Sequence, residues 1–182
     1  MTQFIQSTYL SDLDICDELI DYLENNPKSF AGRSAYGVDK SVKDSIDCYL
    51  EDTQLRSKYF EQLRLAVDNY IETFPYADNY GPWGISDSVN IQKYLPGGGF
   101  HAWHTERAGA NGLQSTRHLV FMTYLNTVTD GGGTEFYHQQ KTIQAEKGLT
   151  VIWPADWTHT HRGVVSPSQT KYIITGWFNF GE

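Results

Sequence analysis

A histidine and a carboxylate two residues apart, His104 and Glu106, are the residues of this sequence that most directly suggest chemistry. Alternate side chains of an extended backbone point to the same face, so this pair can share one metal ion. A second pair, His159 and His161, follows on another predicted strand. Two histidines and one carboxylate leave open positions on an octahedral Fe(II), as oxygen chemistry requires. The sequence therefore predicts an Fe(II) site.

The pattern leaves one ligand undecided. His159 and His161 share a strand face by parity, so alternation does not decide which of them binds the metal. The His104 and Glu106 pair is also a weak signal by itself, because such pairs commonly lie on a solvated strand face. The rest of the sequence has to settle both points.

Lys171 provides a second chemical signal. It shares a predicted strand face with Ile173, Thr175 and Trp177, and an ammonium buried on that face requires an anion. A dicarboxylate cosubstrate would provide one. The alternative is a lysine that reaches solvent from the end of the strand.

The first half of the chain contains two amphipathic segments that would support such a site. Residues 11–26 begin with Ser11 and Asp14 in positions like those of a capping box, and apolar side chains recur at helical spacing. A second stripe of this kind covers residues 52–74. We expect two core-facing helices. Residues 28–51 show no sustained period, which leaves either a lid or an irregular sheet edge.

From residue 85 onwards the sequence consists of short Val-, Ile- and aromatic-rich runs separated by glycines, a pattern typical of strands and turns. The predicted strands are Val89–Tyr94, Phe100–His104, Leu119–Asn126, Thr134–His138, Leu149–Trp153, His159–Gly163 and Lys171–Phe178. Helices followed by seven or more strands indicate an α+β domain, predominantly β, with the helices on one face of a sandwich or barrel.

Composition limits the classes of function. The chain has 182 residues, of which 40% are apolar, so we expect a single domain over residues 1–182, with helical support in 1–84 and the strand core in 85–182. A net charge of −8 opposes binding to a phosphate backbone, so no nucleic acid partner is expected. Cys16 and Cys48 lack the spacing of a zinc site or disulfide framework and are predicted to be free thiols. With no leader-like N-terminus and no long apolar run, we expect a cytoplasmic protein that does not associate with membranes.

Several motifs recur in a recognisable order and spacing. They are Tyr94-Leu95-Pro96-Gly97, His104-x-Glu106, Tyr124-Leu125-Asn126, Gly131-Gly132-Gly133-Thr134-Glu135-Phe136, Lys147-Gly148, His161-Arg162-Gly163 and Lys171-Tyr172. Together they resemble the 2-oxoglutarate/Fe(II) oxygenases of the prolyl 4-hydroxylase type, over about residues 89–180. The resemblance implies a double-stranded β-helix, or jelly-roll, with the metal at its open mouth.

The resemblance also implies roles for individual residues. His161 would be the second histidine ligand, because the family places its cosubstrate-binding basic residue ten positions further on, here Lys171. His159 would then be an outer or entrance residue. Tyr94 and Thr134 would donate hydroxyl hydrogen bonds to the same end of 2-oxoglutarate, although ordinary strand packing is the alternative for both. Trp177 would form a wall of the pocket.

The activity implied is hydroxylation of a C–H bond with release of succinate and CO2, using Fe(II), 2-oxoglutarate and O2, with ascorbate as a candidate reductant. One departure is Glu106, where most of the family has Asp; glutamate reaches one methylene further and remains a competent oxygen ligand. Because a carboxylate fills that metal position, which a halide would otherwise need, hydroxylation is favoured over halogenation.

The substrate is predicted by family analogy as a prolyl or other aminoacyl side chain in a peptide or protein, with free amino acids left open. Candidate substrate contacts are Trp103, Arg107 and Arg162, although packing explains such residues equally well. His101 is predicted to be a packing or rim residue, whereas His118 and His138, near strand ends, are predicted to be solvated. The alternative function is a non-catalytic, cupin-like jelly-roll that binds a metal or a sugar, but such a module has no reason to place Lys171 where it is.

Overall fold

The computed structural model of this chain describes residues 3–34, 37–109 and 111–181. Two α-helices, α1 (Asp14–Glu24) and α2 (Thr53–Thr73), lie where the apolar stripes predict them. The side chain of Asp52 caps α2 by accepting a hydrogen bond from the backbone N–H of Leu55. No helix in these ranges is both long and apolar enough to cross a membrane.

The predicted cap of α1 is wrong. Its N-cap residue is Leu13, which makes no side-chain capping bond. The carboxylate of Asp12 accepts the backbone N–H of Asp14 instead, two residues along the chain. Ser11 bonds to Gln62 of α2, so it contributes to helix packing and not to a capping box.

The described residues form eleven strands. In chain order these are β1 (Gln6–Tyr9), β2 (Phe30–Ala31), β3 (Ile46–Tyr49), β4 (Trp83–Gly84), β5 (Asn90–Tyr94), β6 (Arg117–Tyr124), β7 (Thr134–Phe136), β8 (Lys141–Ile143), β9 (Leu149–Pro154), β10 (His161–Gly163) and β11 (Lys171–Phe180). The larger sheet has the order β1-β9-β6-β11-β5-β3-β2, with β4 paired to β11, and the smaller has the order β10-β7-β8. Every pairing is antiparallel.

The core has two parts, one on each face of the larger sheet. On one face the two helices pack against sheet residues that include Ile91, Phe121 and Ile174, which confirms the predicted packing of the helices. On the other face the two sheets enclose a second cluster that includes Tyr124 and Trp153. Each fully buried large apolar side chain stabilises the fold by roughly 1.5–3 kcal/mol. The site lies at the open side of this second, inter-sheet layer.

One predicted strand, Phe100–His104, is wrong. Phe100 and His104 each form only an isolated bridge, to Lys43 and His161 respectively, and the backbone between them is not paired as a strand. The preceding Gly97, Gly98 and Gly99 start a loop that the aromatic residues after them obscured.

The other six predicted strands are present, with ends within two residues of the prediction. The stretch preceding β10 is different, because Trp157–His159 forms a 3-10 turn that the side chain of Asp156 caps. Strands β1 to β4 and β8 were not predicted, and the first 84 residues therefore supply strands as well as helices. Residues 28–51 contain β2 and β3, at the edge of the larger sheet.

Candidate metal and cosubstrate site

The three predicted ligands His104, Glu106 and His161 lie together. Their ligand atoms are all within 4.8 Å of one another, and the Nε2 atoms of both histidines are 3.4 Å from Glu106 Oε1. The two histidines face each other across a backbone bridge, in which each N–H donates to the other's carbonyl at 3.0 Å. Both imidazoles are therefore held on paired backbone.

The orientation of the two rings suits metal binding. Nδ1 of His104 lies 2.9 Å from the carbonyl oxygen of Ala102, and Nδ1 of His161 lies 2.9 Å from that of His159. A carbonyl can only accept, so each Nδ1 carries a proton and each Nε2 faces the centre of the cluster, where it can offer its lone pair to a metal ion once it carries no proton itself. Phe100 stacks on the His104 ring at a centroid distance of 3.6 Å and limits its rotation.

Glu106 uses its two oxygens differently. Oε1 faces the histidines, while Oε2 accepts a hydrogen bond of 3.0 Å from the indole Nε1 of Trp177. Arg117 stacks on a face of that indole, 3.5 Å from the ring centroid, and its guanidinium is 3.5 Å from Oε2. The longer glutamate side chain is thus fixed by partners on its outer oxygen, which leaves one oxygen for a metal.

The charges within the cluster support a cation site. Burial by itself raises the pKa of Glu106, but hydrogen bonds and charge interactions with His104 and His161 outweigh burial and hold that pKa well below its usual range. Burial, followed by the neighbouring His104, lowers the pKa of His161. An ionised carboxylate beside a neutral imidazole is the ligand state that Fe(II) requires.

We expect Trp177→Phe to lower Fe(II) affinity by about 10- to 100-fold, because it removes the hydrogen bond that holds the ligating carboxylate. The phenyl ring leaves Arg117 an aromatic surface to stack on. Anaerobic titration with Fe(II) measures the effect. Trp157→Phe is the matched control, since that indole is 68% exposed and lies away from Glu106. Equal affinities in the two variants would contradict the assigned role of Trp177.

Lys171 is buried in the same cleft as the three ligands, and only 5% of its surface is exposed. Its Nζ lies 4.8 Å from the ring centroid of Tyr94, and among the described residues no carboxylate pairs with it. Burial lowers the pKa of Lys171 to about 8. A buried ammonium without a protein counter-ion suits one carboxylate of 2-oxoglutarate.

Tyr94 and Thr134 line the cleft near Lys171, as predicted, but their hydroxyls have protein partners. Tyr94 donates to Gln92 Oε1 at 2.6 Å, and Thr134 accepts from the hydroxyl of Tyr124 at 2.7 Å. The face of the Tyr94 ring, and not its hydroxyl, is turned to Lys171. Their direct bonds to the cosubstrate stay predictions.

The remaining predicted residues are spread around the site. Nε2 of His159 lies 2.9 Å from the backbone oxygen of Gln3, so the ring is directed away from the three ligands. His159 contributes to the cluster only through its backbone carbonyl, which accepts from Nδ1 of His161. Trp103 lines the cleft, and the guanidinium of Arg162 lies 4.4 Å from the centroid of its ring. Arg107 bonds to Asp156 and lines a separate pocket, which does not support it as a substrate contact.

The predicted solvation of His118 is wrong. Its Nε2 lies 2.7 Å from the backbone oxygen of Ala77, and the residue is only partly exposed. His138 is exposed, in agreement with the prediction. His101 has intermediate exposure and stands outside the three-residue cluster.

Sequence reasoning missed several residues that shape the site. They are Lys43, Asp47, Asn90, Gln92, Phe100, Arg117 and Tyr124. The alternating pattern of β5 contained a usable signal, since Asn90, Gln92 and Tyr94 share one face of a strand that is buried on both faces. The first residue of β6, Arg117, carried no such signal.

The sequence profile of the 2OG-Fe(II) oxygenase superfamily matches residues 89–179, half of the chain. The chain therefore belongs to this superfamily and is an Fe(II)- and 2-oxoglutarate-dependent oxygenase, as the resemblance predicted. The three clustered ligands and Lys171 lie within the matched range. Among curated proteins, no sequence matches the chain significantly.

Similar solved structures support the jelly-roll fold. A viral collagen prolyl hydroxylase from Paramecium Bursaria Chlorella virus-1, solved with 2-oxoglutarate, is 15% identical with a TM-score of 0.72, over 98% of this chain and 97% of its own. A Pseudomonas putida prolyl-4-hydroxylase is 16% identical with a TM-score of 0.72, over 100% and 95%. A Trichoplax adhaerens prolyl hydroxylase, in complex with a hypoxia inducible factor peptide fragment, is 15% identical with a TM-score of 0.73, over 98% and 84%.

Proposed function

We propose that this oxygenase hydroxylates a C–H bond of a prolyl or other aminoacyl residue within a peptide. The observation that carries the proposal is a cleft of about 510 Å³ that is lined by the three predicted ligands and also by Lys171. This volume lies in the usual range of ligand pockets. It is large enough for the small cosubstrate together with part of a second molecule.

The residues present fit the group that the family requires. His104, His161 and Glu106 would hold Fe(II), and Lys171 would pair with the far carboxylate of 2-oxoglutarate. When bound, the metal and cosubstrate supply the oxidation of a C–H bond by O2 with release of succinate and CO2. The protein fixes the ligands, neutralises one carboxylate in a buried pocket and orients the substrate.

A peptide substrate is favoured by the open side of the cleft and by the fold. Trp103, partly exposed at the mouth, packs edge-to-face against the exposed Tyr137 and under Arg162, which gives the entrance an aromatic wall. Aromatic surfaces of this kind suit extended and proline-rich chains. The three similar structures named above are all prolyl hydroxylases, one of them with a peptide bound.

The test is to incubate the protein aerobically with Fe(II), 2-oxoglutarate and ascorbate as the candidate reductant, using a proline-containing peptide or free L-proline as substrate. We expect succinate to form together with peptide that has gained one oxygen atom, as measured by mass spectrometry, and little product from the free amino acid. If only free proline is hydroxylated, the substrate is a small metabolite and not a peptide. No succinate with any substrate, and no anaerobic complex of Fe(II) with 2-oxoglutarate, would favour the cupin-like binding module.

A further inference from the structure

A buried polar cluster lies in the same cleft, on the β3 and β5 side of the larger sheet. Lys43 Nζ and Asp47 Oδ2 form an ion pair of 2.7 Å, with 4% and 2% of their side chains exposed. Both line the cleft. Apolar residues of similar volume often replace a buried ion pair without loss of stability, so folding alone does not require this one.

Asp47 fixes the orientation of a neighbouring amide. Its Oδ1 accepts from the hydroxyl of Ser45 at 2.7 Å, and its Oδ2 accepts from Asn90 Nδ2 at 2.9 Å as well as from Lys43. A carboxylate accepts hydrogen bonds, so the NH2 group of Asn90 must face Asp47 and its Oδ1 must point elsewhere. The cluster is closed from behind by Gly32, where an added Cβ would overlap Ser45 Oγ.

The oxygen of that amide has no partner. Asn90 is only 8% exposed and lines the cleft, and among the described residues nothing donates to its Oδ1. The adjacent Gln92 differs, because its Oε1 accepts the hydroxyl of Tyr94. A buried acceptor left unsatisfied costs about 1–3 kcal/mol, a cost that a ligand N–H would remove.

The position of Asn90 relates it to the reacting centre. Asn90 is the Cα partner of Thr175 in the β5 and β11 pairing, and Trp177, which bonds Glu106, is two residues further along β11. Strand geometry places the Cα atoms of Asn90 and Trp177 roughly 8 Å apart. Lys171 lies four residues before Thr175, towards the opposite end of the strand. Along the sheet, Asn90 therefore lies closer to Trp177, the partner of Glu106, than to Lys171.

The chemistry of this acceptor excludes the cosubstrate. A 2-oxoglutarate dianion has no N–H to donate to Asn90 Oδ1. We propose that Asn90 Oδ1 accepts a hydrogen bond from a backbone N–H of the peptide substrate, with Lys43 and Asp47 as the positioning residues that aim the amide. This inference rests on the proposed function and names a group that the substrate must carry.

Ester scanning of the substrate tests the inference. A short proline-containing peptide is compared with analogues in which one backbone N–H at a time is replaced by an ester oxygen. We expect one ester position to lower kcat/KM of the wild type by about tenfold or more, the loss for a buried acceptor left unpaired. In Asn90→Leu the same ester analogue should react no more slowly than its parent peptide.

Two measurements separate a recognition role from a folding role. Calorimetry should show that Asn90→Leu lowers the affinity of the metal-free protein for the peptide by about the same factor. The anaerobic absorption of Fe(II) with 2-oxoglutarate should be unchanged in this variant. Asn179→Leu is the matched control. That asparagine is also buried and also has an unpartnered Oδ1 among the described residues, but its amide nitrogen donates to Leu113 and Thr116 outside the cleft.

The outcomes distinguish the two proposals. If the wild type forms the anaerobic complex but every ester analogue is processed like its parent, or no peptide binds, the assignment of Asn90 is wrong and the oxygenase site stands. If the anaerobic complex itself does not form, the proposed function fails. An ester effect of the same size in wild type and Asn90→Leu would assign the N–H to another acceptor and overturn the inference.

Discussion

His161→Ala is expected to abolish the visible absorption band that Fe(II) and 2-oxoglutarate produce together in the absence of oxygen. The variant removes one of the three proposed ligands, whose atoms lie within 4.8 Å of one another, and alanine offers no atom to replace Nε2. Loss of a ligand worth several kcal/mol should lower succinate formation at least about a thousandfold. Anaerobic absorption spectra and a succinate assay measure the two effects.

The control for this variant is His159→Gln. The two histidines share parity and burial, but the ring of His159 bonds to the backbone of Gln3, and the carbonyl that holds His161 survives the substitution. We expect the band and the turnover of His159→Gln to stay close to those of the wild type. If His159→Gln loses the band and His161→Ala retains it, the assignment of the ligand is reversed.

Lys171→Met is expected to weaken 2-oxoglutarate binding by about 100- to 5000-fold, because it leaves one carboxylate of the cosubstrate buried without a counter-ion, at a cost of about 3–5 kcal/mol. Fe(II) binding should be unchanged. Titration of the anaerobic band with 2-oxoglutarate gives both quantities. The control is Lys93→Met, because the ammonium of Lys93 pairs with Glu24 outside the cleft. Equal affinities in the two variants would contradict the role of Lys171.

The same lysine should make cosubstrate binding dependent on pH. Burial lowers the pKa of Lys171 to about 8 in the unliganded protein, and the dicarboxylate binds the protonated form. Affinity should therefore be constant below pH 8 and fall about tenfold per pH unit above it, until the higher pKa of the complex is reached. Tyr94, the ring beneath Nζ, stays neutral because burial raises its pKa well above the usual value. Lys171→Arg remains charged and should show no such slope.

The chemical outline of the site was predictable because it depends on residue type and spacing. His104, Glu106 and Lys171 are residue types able to bind a metal or an anion, and their spacing matched a family pattern. The helices were predictable because α2 repeats its apolar stripe over 21 residues. Strands β2 and β3, of two and four residues, are too short to show a period, and unlike β7 and β10 they carry no family motif.

The rest of the site could not be predicted because its polar residues are buried, contrary to the usual pattern, and because strand parity fails where a strand is interrupted. Lys43, Asp47 and Asn90 are polar residues buried against a cleft, and hydrophobic patterning assigns such residues to solvent. Strand parity could not choose between His159 and His161, because a 3-10 turn ends at His159 and β10 begins at His161; the ten-residue spacing from His161 to Lys171 in the family pattern made that choice. Parity is informative only where the strand is continuous.

The reciprocal backbone bridge between His104 and His161 has a consequence for how the enzyme acquires its metal. Two main-chain hydrogen bonds fix the spacing of the imidazoles before any ion arrives, and Trp177 fixes the carboxylate. Small zinc domains differ, since the metal supplies their folding free energy. In this protein the hydrogen bonds that position the proposed ligands do not involve the metal, so we expect removal of iron to abolish activity and leave the fold intact.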